Sequence, residues 1–128
     1  MKATELRIGN YVIHNHGTDL FSTVEWIQND CVSVCFSVQS DFATGCTCSL
    51  NKIFPIPITE EWLEKFGFFR YCEKYRLTLS QGLYFNVNRM KDGYSVYRNR
   101  ARMRKVKYVH EFQNLFFALT GEELTLQQ

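Results

Sequence analysis

The pattern that most constrains this chain is a succession of short segments in which apolar and polar residues alternate, each followed by turn-forming residues. The clearest runs from Cys31 to Val38, where every second residue is Val or Phe. A period of two predicts a half-buried β-strand. Looser segments of the same kind run from Phe21 to Ile27 and from Cys46 to Phe54. Short strands at this spacing predict a small SH3-like β-barrel or a curled sheet in the N-terminal part.

A proline pair separates this part from the rest of the chain. Pro55 and Pro57 flank one isoleucine, and proline offers no N–H to a strand ladder and restricts the residue before it. We therefore predict a barrel-like unit over residues 1–57 and an α+β unit over residues 58–128. We expect the two to share one core, because each alone is near the size at which folding becomes marginal.

The second part begins with a helix signal. Thr59 is typical of an N-cap, two glutamates follow it, and Gly67 stands where a short helix ends. Strand-like segments then return, at Tyr71 to Leu79, Leu83 to Val87, Tyr94 to Tyr97 and Arg100 to Val106.

The last segment carries the clearest helical pattern in the chain. From Lys107 to Thr120, apolar residues recur at intervals of three and four, which makes one wide apolar face, and Gly121 follows as a stop signal. The predicted class is therefore α+β, with antiparallel strands and a C-terminal helix packed on them.

Composition indicates a folded protein without a membrane-spanning segment. Hydrophobic residues make up 45% of the 128 residues and aromatic residues 16%, which excludes wholesale disorder and provides material for a core. No apolar run approaches the roughly 18 residues of a membrane span, and no apolar segment follows Lys2 as in a secretion signal. Five cysteines, an odd number, fit reduced thiols in a cytoplasmic protein with no membrane partner.

Three blocks of sequence resemble one family of small bacterial and prophage proteins without an assigned activity. They are RIGN from Arg7 to Asn10, PIPITEEWLEKFGF from Pro55 to Phe68, and KYVHEFQNLFFALTGEEL from Lys107 to Leu124. The resemblance implies a bacterial or phage origin, often in mobile-element neighbourhoods. It implies no catalytic residue or cofactor, and both the cysteines and the arginine-rich stretch lie outside the blocks.

Four cysteines in the N-terminal part could supply thiolates to zinc, namely Cys31, Cys35, Cys46 and Cys48. Structural zinc sites usually place two cysteines in a tight knuckle. Cys31 and Cys35 would instead lie about 13 Å apart on an extended strand. We interpret these thiols as small strand hydrophobes and expect no metal and no cofactor.

Signals for an enzyme are weak. Cys72 or Cys35 could pair with His110, but no local signature surrounds either cysteine. The glutamates that begin the first helix are explained by the helix dipole. The chain has no glycine-rich phosphate loop and no H-E-x-x-H or G-x-S-x-G motif. We predict no catalytic residue.

The most informative charge feature is a basic stretch. Between Lys91 and Lys107 there are seven basic residues and one acid, whereas the net charge of the whole chain is +2. Four arginines are spaced by two, so on one continuous strand they would line one face, opposite Tyr97. A turn at Arg98-Asn99 would split the row. The candidate binding residues are Tyr97, Arg98, Arg100, Arg102, Arg104, Lys105 and Lys107.

Two functions of different class follow from these features. Our primary hypothesis is a non-enzymatic binding module, a phage or mobile-element accessory protein that contacts a host protein. The alternative is a nucleic-acid-binding protein that uses the basic stretch from Arg98 to Lys107, since basic side chains near tyrosines suit a nucleic-acid strand. A solvated sheet face or contact with an acidic protein would also explain the charge.

Overall fold

A computed structural model describes residues 5–14, 21–28, 31–36, 44–80, 82–124 and 126. Their elements are β1 (Tyr11–His14), β2 (Ser22–Gln28), β3 (Cys31–Phe36), β4 (Thr44–Ser49), β5 (Ile53–Phe54), α1 (Glu60–Lys65), β6 (Phe69–Tyr71), β7 (Lys74–Ser80), β8 (Leu83–Met90), β9 (Gly93–Arg98), β10 (Ala101–Val106) and α2 (Val109–Thr120). The chain divides into two compact units. The first comprises Met1–Ile56 and Val109–Asn114, and the second comprises Pro57–Tyr108 and Leu115–Gln128.

The first unit is built on an antiparallel sheet with the strand order β4-β3-β2-β1-β5. A turn of 3-10 helix, Leu50–Lys52, joins β4 to β5. Among the described residues β4 and β5 are the two edges, so the sheet is open and does not close into the barrel that was one of the two predicted forms of this unit. Its core is a cluster of buried aliphatic side chains, Leu6, Val12, Val24, Leu50 and Ile53.

Three amides tie the start of α2 to the segment before β1. Asn10 Nδ2 donates to Asn114 Oδ1 at 2.9 Å, and Asn10 Oδ1 accepts from the Arg7 amide at 2.7 Å. Gln113 Oε1 accepts from the Tyr11 amide at 2.8 Å, and the Gln113 and Asn114 side-chain nitrogens donate to backbone carbonyls. We call Asn10, Gln113 and Asn114 the amide cluster. Asn10 and Gln113 are fully buried. These hydrogen bonds take the place of the hydrogen bonds to water that their amide groups lose on burial.

The second unit is built on a second antiparallel sheet with the order β10-β9-β8-β7-β6, so each strand pairs with its neighbour in sequence. Turns of two residues join β6 to β7, β8 to β9 and β9 to β10. One face of this sheet is buried, and Phe85 on β8 contacts Phe116 of α2 with ring centroids 5.3 Å apart. Val87 and Val96 lie on the same face and are also fully buried.

The first helix follows its sequence signals. Thr59 Oγ1 accepts from the Trp62 amide at 3.3 Å, and Gly67, with φ of +96°, follows the last turn. Leu63 points inward and is fully buried. At the other end of the chain, Gly121 adopts φ of +76° directly after α2, which confirms the predicted stop.

The α+β class is confirmed, and the strands of the second sheet need one correction. The segment from Tyr71 to Leu79 was predicted as one strand, but it contains the last residue of β6 and all of β7 except its last residue. Cys72 and Glu73 form the turn between them with φ of +46° and +67°. Neither residue type signals a left-handed turn, which explains the error. Within the described part of the chain, neither helix is long and apolar enough to cross a membrane.

Candidate functional site: an aromatic and basic sheet face

The strand register of the second unit places one row of side chains across all five strands. Phe69 pairs with Arg76, Arg76 with Asn86, Asn86 with Tyr97, and Tyr97 with Arg102. Directly paired residues in an antiparallel sheet project from the same face. With strands about 4.8 Å apart, the row spans about 19 Å.

This row lies on the face opposite the buried one. Successive residues of a strand project to opposite faces, and the neighbours of Asn86 on β8, Phe85 and Val87, belong to the buried face. In contrast, Phe69 is 48% exposed and Tyr71 is 46% exposed. We call the accessible part of this surface the aromatic–basic face, and it consists of Phe69, Tyr71, Lys74, Arg76, Thr78, Tyr84, Asn86, Tyr97, Arg102 and Lys105. The register also places Asn88 and Ser95 on this side of the sheet, but Ser95 and the Asn88 side-chain oxygen are buried, so these two residues are not counted in the face.

Arg76 is held near the middle of the face by three contacts. Its guanidinium carbon lies 4.1 Å from the ring centroid of Tyr71 and 4.3 Å from that of Tyr84. Its Nε donates a hydrogen bond of 2.9 Å to Asn86 Oδ1. Cation–π contacts of this length are favourable, since the guanidinium is planar and weakly hydrated. The two tyrosines and Arg76 therefore form an ordered stack on the sheet.

The charge on the face is positive. At its paired positions the charged residues are Lys74, Arg76, Arg102 and Lys105. Lys105 forms an ion pair with Asp92 in the turn between β8 and β9. The hydrogen bond from Lys105 holds the pKa of the Asp92 carboxyl below its ordinary value. The face thus combines exposed rings with cations, a composition suited to an anionic partner that carries planar groups.

One asparagine organises the end of the sheet beside this face. Asn99 follows β9 and adopts φ of +53°, a conformation that asparagine tolerates well. Its Oδ1 accepts from the Tyr84 amide, and its Nδ2 donates to the Gly82 carbonyl, each at 2.9 Å. Asn99 thereby fixes the turn between β9 and β10 to the start of β8, which carries Tyr84.

The predicted arginine row is not continuous. Arg98 ends β9, Arg100 lies in the turn, and the other two arginines lie on β10, where the pairing skips Met103 between Arg102 and Arg104. This β-bulge breaks the alternation. Arg102 pairs with Tyr97 on the aromatic–basic face.

The remaining arginines therefore point elsewhere. Arg104 pairs with Val96 and Arg98 with Phe85, both on the buried face, so these arginines project to that side at its margin. Tyr97 would lie opposite all four arginines only on one continuous strand, and the turn at Asn99 and the bulge at Met103 interrupt that strand.

The other candidate residues lie in different surroundings. Lys105 belongs to the aromatic–basic face, whereas Lys107 follows β10 and lines an open groove with Arg89 and Tyr108. Arg98 and Arg100 line a shallow concavity at the opposite end of the same sheet. The structure therefore brings together Tyr97, Arg102 and Lys105, and separates them from the remaining basic residues.

The residues considered above for catalysis and for zinc binding lie as follows. Cys72 is an exposed free thiol in the turn between β6 and β7, and His110 is buried in α2. The side chains of Cys31, Cys35, Cys46 and Cys48 lie outside the part of the chain that the structure describes.

The sequence interpretation missed most of the face and found only Tyr97, Arg102 and Lys105. Tyr71, Arg76, Tyr84 and Asn86 were not among the candidate residues, because the prediction was confined to the basic stretch and the tyrosines near it. A usable signal was present: polar or aromatic residues at alternate positions from Lys74 to Thr78, and again from Tyr84 to Asn88. Alternation of this kind marks the second face of each strand.

In comparisons with protein-family models, curated proteins and solved structures, the chain matches none of them.

Proposed function

We propose that this protein binds single-stranded nucleic acid on the aromatic–basic face. The observation that carries the proposal is the row Phe69, Arg76, Asn86, Tyr97 and Arg102, in which two rings and two cations lie on one sheet face. Unpaired bases stack on aromatic side chains while phosphates attract lysine and arginine. Four-stranded RNA-binding sheets stack two or three bases in this manner.

The geometry favours a single strand over a duplex. Rings such as Phe69 and Tyr71 lie on a sheet surface, where they can meet the flat side of an unstacked base. The bases of a duplex are stacked on one another and present only their edges in the grooves. A duplex would therefore meet the cations of the face and leave its rings unused.

The test is the affinity for a labelled single strand of about 12 nucleotides, measured by fluorescence anisotropy from about 50 to about 200 mM salt. We expect Tyr97→Ala to weaken binding about tenfold at every salt concentration, because stacking is lost. We expect Arg102→Ala to weaken it about fivefold and to reduce the salt slope by about one.

Arg104→Ala is the matched control, because it removes the same charge two residues away on the buried side of the same strand. It should change the affinity by less than about twofold, because its side chain projects to the other side of the sheet and contributes only a charge partly screened by salt. Equal losses in the Arg102 and Arg104 variants would indicate attraction to basic surface in general and contradict the proposal. Failure of the wild type to bind at low salt would remove it.

Protein binding is the second candidate, and a different observation favours it. In the first unit the fifth strand returns to pair with β1 after a turn of 3-10 helix, and this connectivity supports an SH3-like fold. Domains of that fold often bind extended peptides in aromatic-lined grooves, and Tyr11 and Phe21 make an edge-to-face contact at 5.0 Å. On this proposal the chain is a cytoplasmic accessory protein of a phage or mobile element that contacts a host protein.

Substitution of Tyr11 separates the two candidates. Tyr11→Ala should abolish capture of a host protein from a bacterial lysate and leave single-strand affinity unchanged. Tyr97→Ala should have the opposite effects. Capture that depends on Tyr97 and not on Tyr11 would contradict the peptide-binding role of the first unit.

A further inference from the structure

We infer that Tyr71 and Tyr84 form a slot for one nucleobase, and that Arg76 occupies this slot when no nucleic acid is bound. The inference rests on the proposed function and adds to it a mechanism: a base enters by replacing a side chain. The Arg76 guanidinium would then be an internal stand-in for the planar part of the ligand.

The register places the two rings on opposite sides of Arg76. Tyr71 lies on β6 and pairs with Lys74, two residues before Arg76. Tyr84 lies on β8 and pairs with Thr78, two residues after Arg76. Both rings lean toward the guanidinium, whose carbon is 4.1 Å from one centroid and 4.3 Å from the other. A single planar group therefore fills the space between the rings.

A nucleobase resembles the guanidinium in the properties that matter for this space. Both are flat and delocalised, and both stack on the face of an aromatic ring. A base has the larger surface for contact with Tyr71 and Tyr84. It can therefore replace the two cation–π contacts with two stacking contacts.

The released guanidinium also has a suitable partner. Each base that enters brings a phosphate with it, and arginine binds phosphate oxygens through two parallel N–H groups. Arg76 lies on β7 between Lys74 and Thr78 of the same face, so its long side chain can swing out while its backbone stays in the sheet. The exchange keeps the cation paired throughout.

The hydrogen bond from Arg76 Nε to Asn86 Oδ1, 2.9 Å long, is the contact that resists this exchange. Asn86→Ala removes it and leaves the rings in place, so a base should displace Arg76 more easily. We expect the affinity for the single strand to rise about fivefold, the size of one hydrogen bond to a charged group partly exposed to water. If Arg76 were a fixed part of the platform, the same variant would weaken binding or leave it unchanged.

Asn88→Ala is the matched control. Asn88 is the same residue type two positions along β8, and its Oδ1 is buried without a hydrogen-bond partner. This variant should leave the affinity within about twofold of the wild type, because no bond to Arg76 is lost. Thermal unfolding of both variants verifies that they are folded.

An NMR measurement tests the slot independently of the affinity. In the free protein the Arg76 side-chain protons lie between two rings, so ring currents displace their NMR signals. At saturation with the single strand, the slot requires these signals to move toward ordinary arginine positions. Signals that stay displaced at saturation overturn the slot, even if the Tyr97 and Arg102 variants still support binding. A wild type that binds no single strand overturns both proposals.

Discussion

The amide cluster of the first unit and the aromatic–basic face of the second show two opposite uses of polar side chains. In the cluster, Asn10 and Gln113 are buried, and every side-chain oxygen and nitrogen of the three amides is hydrogen-bonded within the unit. On the face, rings and cations remain open to solvent, with Phe69 and Tyr71 about half exposed. Polar groups that satisfy one another hold a fold together, whereas groups left open are available to a partner.

The same contrast divides the sequence. Asn10 lies in the RIGN block, and Gln113 and Asn114 lie in the block from Lys107 to Leu124. The residues of the aromatic–basic face, from Phe69 to Lys105, lie between the second and third blocks. The first and third blocks therefore contain the amide cluster, whereas the proposed binding surface lies outside all three blocks.

The largest effect that separates the two regions is expected from Gln113→Ala. Its Oε1 accepts a hydrogen bond of 2.8 Å from the Tyr11 amide, and its Nε2 donates one of 3.1 Å to the Gly9 carbonyl. The Gln113 residue is 1% exposed. The truncation leaves two buried backbone groups without a partner, so the free energy of unfolding should fall by about 3 kcal/mol. Urea unfolding followed by circular dichroism measures it.

Thr78→Ala is the comparison for that experiment, since it removes an exposed polar group from the second sheet. It should change the free energy of unfolding by less than about 0.5 kcal/mol. A Gln113 variant as stable as the Thr78 variant would show that the amide cluster is not needed for stability, and the contrast between the two regions would fail.

The sequence predicted these regions unequally. The α+β class, the Thr59 cap and the end of α2 follow from local rules that act within a few residues, and these expectations are confirmed. The amide cluster could not be predicted, since its bonds join residues more than a hundred positions apart. No periodicity encodes such a contact.

The face was predicted in part, for a related reason. Charge density pointed to Arg102 and Lys105, but which arginines share a face depends on the bulge at Met103. The bulge is a property of two paired strands, and β10 alone does not reveal it. Likewise, Tyr71 reaches Arg76 only because Cys72 and Glu73 form a turn without the usual turn residues.

The second largest change in stability is expected at Asn99, which fixes the turn beside the aromatic–basic face. Asn99→Ala removes two hydrogen bonds and places alanine at φ of +53°. We expect a loss of about 2 kcal/mol in the free energy of unfolding, from the lost bonds and the strained backbone together. Asn99→Gly accepts the backbone angle and should recover about half of this loss. Equal losses in both variants would assign the whole effect to the hydrogen bonds.

A stabilising change should act on the face without touching the amide cluster. Cys72 and Glu73 both have positive φ in a two-residue hairpin turn, where Asn-Gly is the preferred sequence. The double substitution Cys72→Asn and Glu73→Gly should raise the free energy of unfolding by about 1 kcal/mol. Single-strand affinity should stay unchanged, since neither side chain belongs to the face. A lower melting temperature would mean that the turn has another conformation in solution.

The smallest change in stability is expected from the protonation of His110, which lies on α2 close to the amide cluster in sequence. Burial lowers the pKa of His110 below its ordinary value of 6.5, while the Glu111 and Glu5 carboxylates oppose this shift. The folded state therefore favours the neutral imidazole, and the unfolded chain binds the proton more readily. This contribution to stability is complete above about pH 6.5 and is lost as the pH falls toward the lower pKa of the folded state.

Urea unfolding of the wild type and of His110→Gln, from about pH 7.5 down to about pH 5, isolates the effect from the other two histidines. The wild type should lose stability on acidification more steeply than the variant, because glutamine has no proton to gain. A variant with the same slope would mean that His110 titrates alike in both states. The start of α2 would then be open to water, and the amide cluster beside it would lose the burial that sets it apart from the aromatic–basic face.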